Sequence, residues 1–210
     1  MMRLESGRTW FVRGLCTALL SVLTGFGPAA RAEPARYEID PEHLSIGFLV
    51  DHIGYGKVLG MFRKAGGSYR FDEASGEMSD LEVLIDSDSV FTNHRKRDEH
   101  LRGADFLNAR EFPQLVFRAG KAERIGDRRY RLAGQLELLG TSSPVTLEAT
   151  WNKSAEYPFG GGVFGGKPYV MGVSARGSFK RGAHGMNYAL DNGWVGDEIE
   201  LIIEFEARQQ

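Results

Sequence analysis

Apolar and polar residues alternate with a period of two along most of the chain, the spacing of strands that bury one face. The last stretch shows it most clearly: Ile199, Leu201, Ile203 and Phe205 share one face, while Glu198, Glu200, Glu204 and Glu206 share the other. The same alternation runs through Leu44, Ile46, Phe48 and Val50, then through Leu81, Val83 and Ile85. It returns in Leu132, Gly134, Leu136 and Leu138, and again in Val145, Leu147, Ala149 and Trp151. Turn residues punctuate these runs at Gly54 to Gly56, Asp72 to Glu77, Gly126-Asp127 and Gly140 to Pro144. A strand from Met61 to Phe71 is expected to be interrupted at Gly66-Gly67, and another from near Val170 to carry Phe179. Between them in sequence, Tyr157 to Tyr169 reads as a Gly-rich loop with Phe159 and Phe164. The count is about eight strands joined by short turns without a crossover helix, which predicts an all-β antiparallel meander. Such a sheet either closes into a barrel or packs on a second sheet, and periodicity leaves both open.

One charged stretch, Thr92 to Phe117, breaks the period. Asn93 suits a helix N-cap, His94 to Arg102 are good helix formers, and Gly103 ends them; a further turn over Asp105 to Ala109 stops before Pro113. This predicts a short helical cap between two strands. Leu101, Phe106, Leu107 and Phe112 would face the interior as a plug. Arg97 and Asp98 either orient a ligand head group at the mouth or tie the cap to the barrel.

Composition narrows the class. With 210 residues, 42% hydrophobic and 26% charged, the chain is long enough for one sizeable core. No apolar run reaches membrane-spanning length. Residues 1–32 read as a secretory signal: Arg3, Arg8 and Arg13, then apolar Leu15 to Phe26, then Ala30-Arg31-Ala32 as the cleavage site. The expected mature domain is residues 33–210, periplasmic or secreted. Setting residues 1–32 aside removes four Arg and one Glu, leaving 22 basic against 27 acidic residues, a formal charge of −5. That surface argues against a nucleic-acid partner. The only cysteine, Cys16, falls within the signal, so the mature domain would rely on its core and not on disulfides.

The charged stretch also carries a resemblance. Thr92, Asn93, Arg97-Asp98, His100-Leu101, Asp105-Phe106, Phe112-Pro113 and Phe117 resemble the central signature of the YceI-like family, the polyisoprenoid-binding or lipid-binding periplasmic proteins. The likeness extends upstream to Tyr37-Glu38-Ile39-Asp40, His43, His52 and Gly60-Met61-Phe62, and downstream to Gly140-Thr141, Arg181, Gly185 and Gly196-Asp197-Glu198-Ile199. Two places depart from the pattern: Lys64-Ala65 stands where the family has an aromatic residue, and Gly182-Ala183-His184 where it has Ser-Asp-Phe. The resemblance implies a lipocalin-like barrel that holds a long isoprenoid or similar lipid, of polyprenyl or quinone type, with no other cofactor. Homodimer formation stays open.

A polyprenyl tail offers almost no hydrogen bonding, so its affinity must come from apolar area removed from water. Covering roughly 400 Å² contributes on the order of 10 kcal/mol before association costs. Inward candidates are Phe48 and Val50, Phe62, Val83 and Ile85, Phe117, Leu136 and Leu138, and Phe179, with Leu101 and Phe106 from the cap. Taken singly, each is better explained as ordinary dry core; only the resemblance implies a hollow interior. His52, entering a turn after an apolar face, suits a bond to a buried carbonyl or to a head group. An enzyme or redox partner acting on such a lipid through His52, Arg97 and Asp98 is the alternative to a carrier, and a stress-related interaction protein is a third reading. Nucleophile elbow, mature-chain cysteine and H-E-x-x-H are all missing from the sequence, so no enzyme and no metal site is expected. The Glu-rich outward face of the last strand opposes a membrane-inserted barrel.

Overall fold

The computed structural model describes residues 33–160 and 166–210; the signal expected over residues 1–32 and Phe164 of the expected loop lie outside the described residues. The chain forms β1 (Ala35–His52), β2 (Gly56–Phe62), β3 (Ala65–Asp72), β4 (Glu77–Asp86) and β5 (Val90–Phe91), then the helix α1 (Arg95–Arg102). β6 (Gln114–Gly126), β7 (Arg129–Leu138), β8 (Thr141–Glu156), β9 (Tyr169–Lys180) and β10 (Val195–Gln209) follow. The order β1-β3-β4-β6-β7-β8-β9-β10 closes when β10 pairs back onto β1, from Tyr37↔Gln209 to His52↔Val195. The result is a closed eight-strand antiparallel barrel, which resolves the choice against a sandwich and leaves no long free edge.

β2 and β5 are continuations of their neighbours. β2 pairs with the second half of β1 (Ile46↔Phe62 to His52↔Gly56) and β3 with the first (Ala35↔Phe71 to Glu38↔Ser68), so β2 and β3 are one strand broken at Arg63-Lys64. β4 and β5 are likewise one strand, broken by a 3-10 turn at Ser87–Ser89. The expected break at Gly66-Gly67 is therefore corrected. Arg63 N–H donates to the Ser89 carbonyl at 3.1 Å and Asp86 N–H to the Lys64 carbonyl at 3.0 Å, so the two breaks are bonded to each other. Gly67 instead lets backbones approach: a Cβ there would lie 2.2 Å from the Glu82 carbonyl oxygen.

β7 keeps the alternation strictly, burying Tyr130, Leu132, Leu136 and Leu138 between exposed Arg129, Arg131, Gln135 and Glu137. The turn to β8 is shorter than expected. Leu139 and Gly140, at φ 53° and 69°, make it alone, and Pro144 already lies in β8 opposite Gln135, ahead of the β9 pairing that begins at Thr146. No ladder bond needs the N–H that proline lacks there.

The helix covers the barrel end where β1 stops and β10 starts. Its N-cap is His94 and not Asn93: His94 Nδ1 accepts the Arg97 N–H at 3.2 Å, while Asn93 sits at φ +61°. Gly103 is the C-cap as expected. The opposite end is packed with aromatic side chains, which leave a further cavity of about 60 Å³ among them. Tyr37 stacks on Tyr69 at 5.4 Å, and Phe71 meets Trp151 edge-on at 5.3 Å and Tyr130 at 5.9 Å. Glu73 fastens that end by accepting from Tyr37 Oη at 2.8 Å and Tyr169 Oη at 3.1 Å.

Candidate binding cavity

Inward side chains from every strand of the ring could meet and fill the shaft, but two glycines hold part of it open. Phe48 lies with its ring against Gly60, where a Cβ would sit 2.2 Å from Phe48 Cζ. Phe117 does the same at Gly134, where a Cβ would sit 2.4 Å from Phe117 Cζ. With a glycine beside each, the two rings lie along the wall and not across the axis. A cavity of about 190 Å³ remains between the aromatic plug and the cap.

The structure brings eleven of the expected positions to that cavity. Phe48, Val50 and Phe62 line it from β1 and β2, Val83 and Ile85 from β4, and Phe117, Leu136, Leu138 and Phe179 from β6, β7 and β9; Leu101 and Phe106 close it from the cap. β10 adds Ile199, Leu201, Ile203 and Phe205.

The three polar candidates stand elsewhere. His52 is exposed at the rim, at the end of β1 opposite Gly56 and Val195. Asp98 is buried and accepts from Thr92 N–H at 2.8 Å and Thr92 Oγ1 at 2.5 Å. Arg97 donates to Thr92 Oγ1 and to the Thr92 carbonyl, both at 2.7 Å. Arg97 and Asp98 thus hold the helix to the segment after β5, the second of the two readings given above. Arg102 adds bonds to the carbonyls of Asp88 at 2.7 Å and Val90 at 2.9 Å.

Two buried polar residues were not among the expected site residues. Arg181 is the one ionisable side chain among those lining the cavity, and its guanidinium is turned onto backbone. It donates to the carbonyls of Gly196 and Met186 at 2.7 Å and of Val195 at 2.8 Å. Burial lowers its pKa, with Asp197 pulling the other way. Its bonds fasten the β9 to β10 connection across the cavity mouth. His184 Nδ1 faces the Thr141 carbonyl at 3.0 Å, so that nitrogen carries the proton, and its ring meets Phe179 edge-on at 5.6 Å. A histidine thus takes an aromatic packing place where the family pattern has Phe. Arg181 was visible in the family signature, but its targets are loop carbonyls set by tertiary structure. Nothing local in sequence marks them.

Outside, ion pairs gird the wall: Arg118 between Glu82 at 2.7 Å and Glu137 at 3.5 Å, Arg129 with Glu148 at 3.2 Å, and Arg131 with Glu123 at 3.1 Å. Among the described residues no helix is long and apolar enough to cross a membrane, and no three His, Cys, Asp or Glu gather to hold a metal ion.

A closed antiparallel barrel, apolar within and charged without, with a helix over one end, is the design of a small container protein. The chain belongs to the YceI-like domain family, whose model matches residues 37–207. Protein YceI of Salmonella arizonae is 37% identical over 194 residues, covering 91% of this chain and 95% of that one. The solved YCEI protein of Campylobacter jejuni aligns at TM-score 0.66 and 30% identity, covering 76% of this chain and 90% of that one. A polyisoprenoid-binding domain from Saccharophagus degradans, implicated in plant cell wall breakdown, shares the fold at TM-score 0.60 and 10% identity, covering 84% of this chain and 99% of that one.

Proposed function

We propose that this protein is an exported carrier that takes the chain of an isoprenoid or similar lipid, of polyprenyl or quinone type, into its barrel. The observation that carries the reading is the cavity: about 190 Å³ of unfilled space whose one ionisable lining residue, Arg181, has its guanidinium committed to three carbonyls. A void lined by hydrocarbon stays dry and favours an apolar guest. The Saccharophagus domain supports the choice of guest, since a barrel of this fold is polyisoprenoid-binding there.

Size refines the proposal. The cavity slightly exceeds the roughly 150 Å³ void that admits benzene and falls short of the ~300 Å³ at which ligand pockets usually begin. A long tail therefore enters by displacing side chains, and we expect the half-buried lining rings, Phe62 and Phe179 among them, to be the ones that turn. An enzyme working through His52, Arg97 and Asp98 gains no support from the geometry, because none of the three lines the cavity and two are bonded to Thr92. Organic extraction of protein purified from its native host, followed by mass spectrometry, is expected to yield one apolar isoprenoid compound per chain. Recovery of empty protein that also refuses added polyprenol contradicts the reading.

A further inference from the structure

The described residues include few large exposed apolar side chains, and several of them surround the capped end. The β1 to β2 hairpin carries Ile53 at 47% and Tyr55 at 92% exposure, and Trp194, the residue before β10, stands at 56%. Ile53 N–H donates to the Trp194 carbonyl at 3.0 Å, so hairpin tip and β10 entry form one surface. That surface continues the cavity wall: Val50 and Val195, a few residues away along the same segments, line the cavity. Across the cap, Tyr188 at 44% exposure packs at 5.1 Å on Phe106, another lining residue.

A second observation is independent of exposure. Ile53 and Gly54 have φ of 52° and 71°, and Tyr55 N–H bonds the His52 carbonyl at 3.1 Å, so the three-residue connection closed by His52↔Gly56 contains a turn whose two central residues are left-handed, a pattern that favours Asn-Gly there. A β-branched residue in that conformation is strained and gains only partial burial in return, with 47% of its surface still exposed. The turn itself does not call for isoleucine there.

We propose that the rim formed by Ile53, Tyr55 and Trp194, with Tyr188 across the cap, inserts into the interfacial layer of a lipid bilayer and sets the cavity mouth on the membrane. Trp and Tyr, with an apolar ring and one polar tip, are the side chains that settle at that depth. The inference rests on the lipid reading of the cavity, since a carrier of a water-insoluble chain must load from and unload into a membrane. Net charge does not drive the docking: residues 33–210 carry a formal −5, with 22 basic against 27 acidic side chains, and Lys57 beside the rim is paired with Glu200, so exposed Arg95 and Lys96 on the cap add a salt-sensitive attraction only on anionic vesicles. Docking by apolar insertion alone is insensitive to salt.

The test compares the purified protein with an Ile53→Asn, Trp194→Ser double variant on phosphatidylcholine vesicles, with and without added phosphatidylglycerol. Wild type is expected to sediment with both vesicle types at low and high salt, and its tryptophan emission to shift to the blue. The double variant is expected to bind about tenfold more weakly or worse. Ile53→Asn alone, which suits the turn, should melt no lower than wild type, so that lost binding is not lost folding. Equal partitioning of wild type and variant overturns the proposal. Binding only to anionic vesicles at low salt also overturns it, as does a rim-dependent dimer in sedimentation velocity without vesicle binding. Uptake of a short polyprenol delivered from ethanol is measured on the same proteins. Vesicle binding without uptake by wild type supports the rim while removing the lipid reading of the cavity; uptake without vesicle binding does the reverse.

Discussion

Asp98 shows how one side chain decides whether the cap stays shut. Its carboxylate is 5% exposed and takes both donors of Thr92, so Asp98→Ala leaves a buried N–H and hydroxyl without their partner. A loss of about 2–4 kcal/mol in urea unfolding is expected. Asp40 gives a pH-dependent counterpart at the seam where β1 meets β10. Burial opposes its ionisation, but bonds from His43, the Glu42 N–H and Arg208 outweigh burial together and hold its carboxyl below the usual range. With a folded-state pKa below the ordinary ~3.9, its contribution is complete above that value and is lost as pH falls through the folded pKa. His43 behaves oppositely. Its bond to Asp40 is the main reason its pKa is raised, so its contribution is full below the ordinary ~6.5 and fades as pH rises through the folded value. NMR titration of His43 in Asp40→Asn is expected to return its pKa toward ~6.5; an unmoved midpoint would refute the coupling.

At the scale of elements, the pairing of Phe48 with Gly60 sets how open the shaft is. Gly60→Ala is expected to push the Phe48 ring toward the axis, costing about 1–3 kcal/mol in stability and weakening ligand binding. Adding Phe48→Leu should restore much of both, a coupling that a double-mutant cycle measures. Gly134→Ala is expected to be worse and less easily rescued, because a Cβ there also lies 2.6 Å from the Arg118 carbonyl oxygen, which cannot turn aside. Strands such as β7, β8 and β10 were legible because period two survives wherever one face is buried and the other wet. The helical cap was legible too, apart from its N-cap. The break between β2 and β3 was not: it is fixed by bonds to Ser89 and Asp86, more than twenty residues away, which leave no local trace. Among site residues the apolar wall could be read from alternation, but Arg181 and His184 could not, since their partners are carbonyls on other segments.

For the whole molecule, the same alternation describes a filled barrel and a hollow one, so the interior was decided by the three-dimensional placement of rings against glycines. The exterior ion pairs and the apolar interior suit a water-borne container, and the roughly 190 Å³ found inside is the part of a lipid's room already made. Widening by rotation of Phe62 or Phe179 should supply the remainder. A crystal structure with bound polyprenol is expected to show at least one of these rings turned while the eight-strand register is unchanged. The most direct test is native mass spectrometry with isoprenoid alcohols of increasing length. A one-to-one complex that tightens as the chain lengthens, and that is weakened by Gly60→Ala, is the expected result. Failure of every member of the series to bind, at concentrations where the protein remains folded, would show that the barrel is closed to such chains.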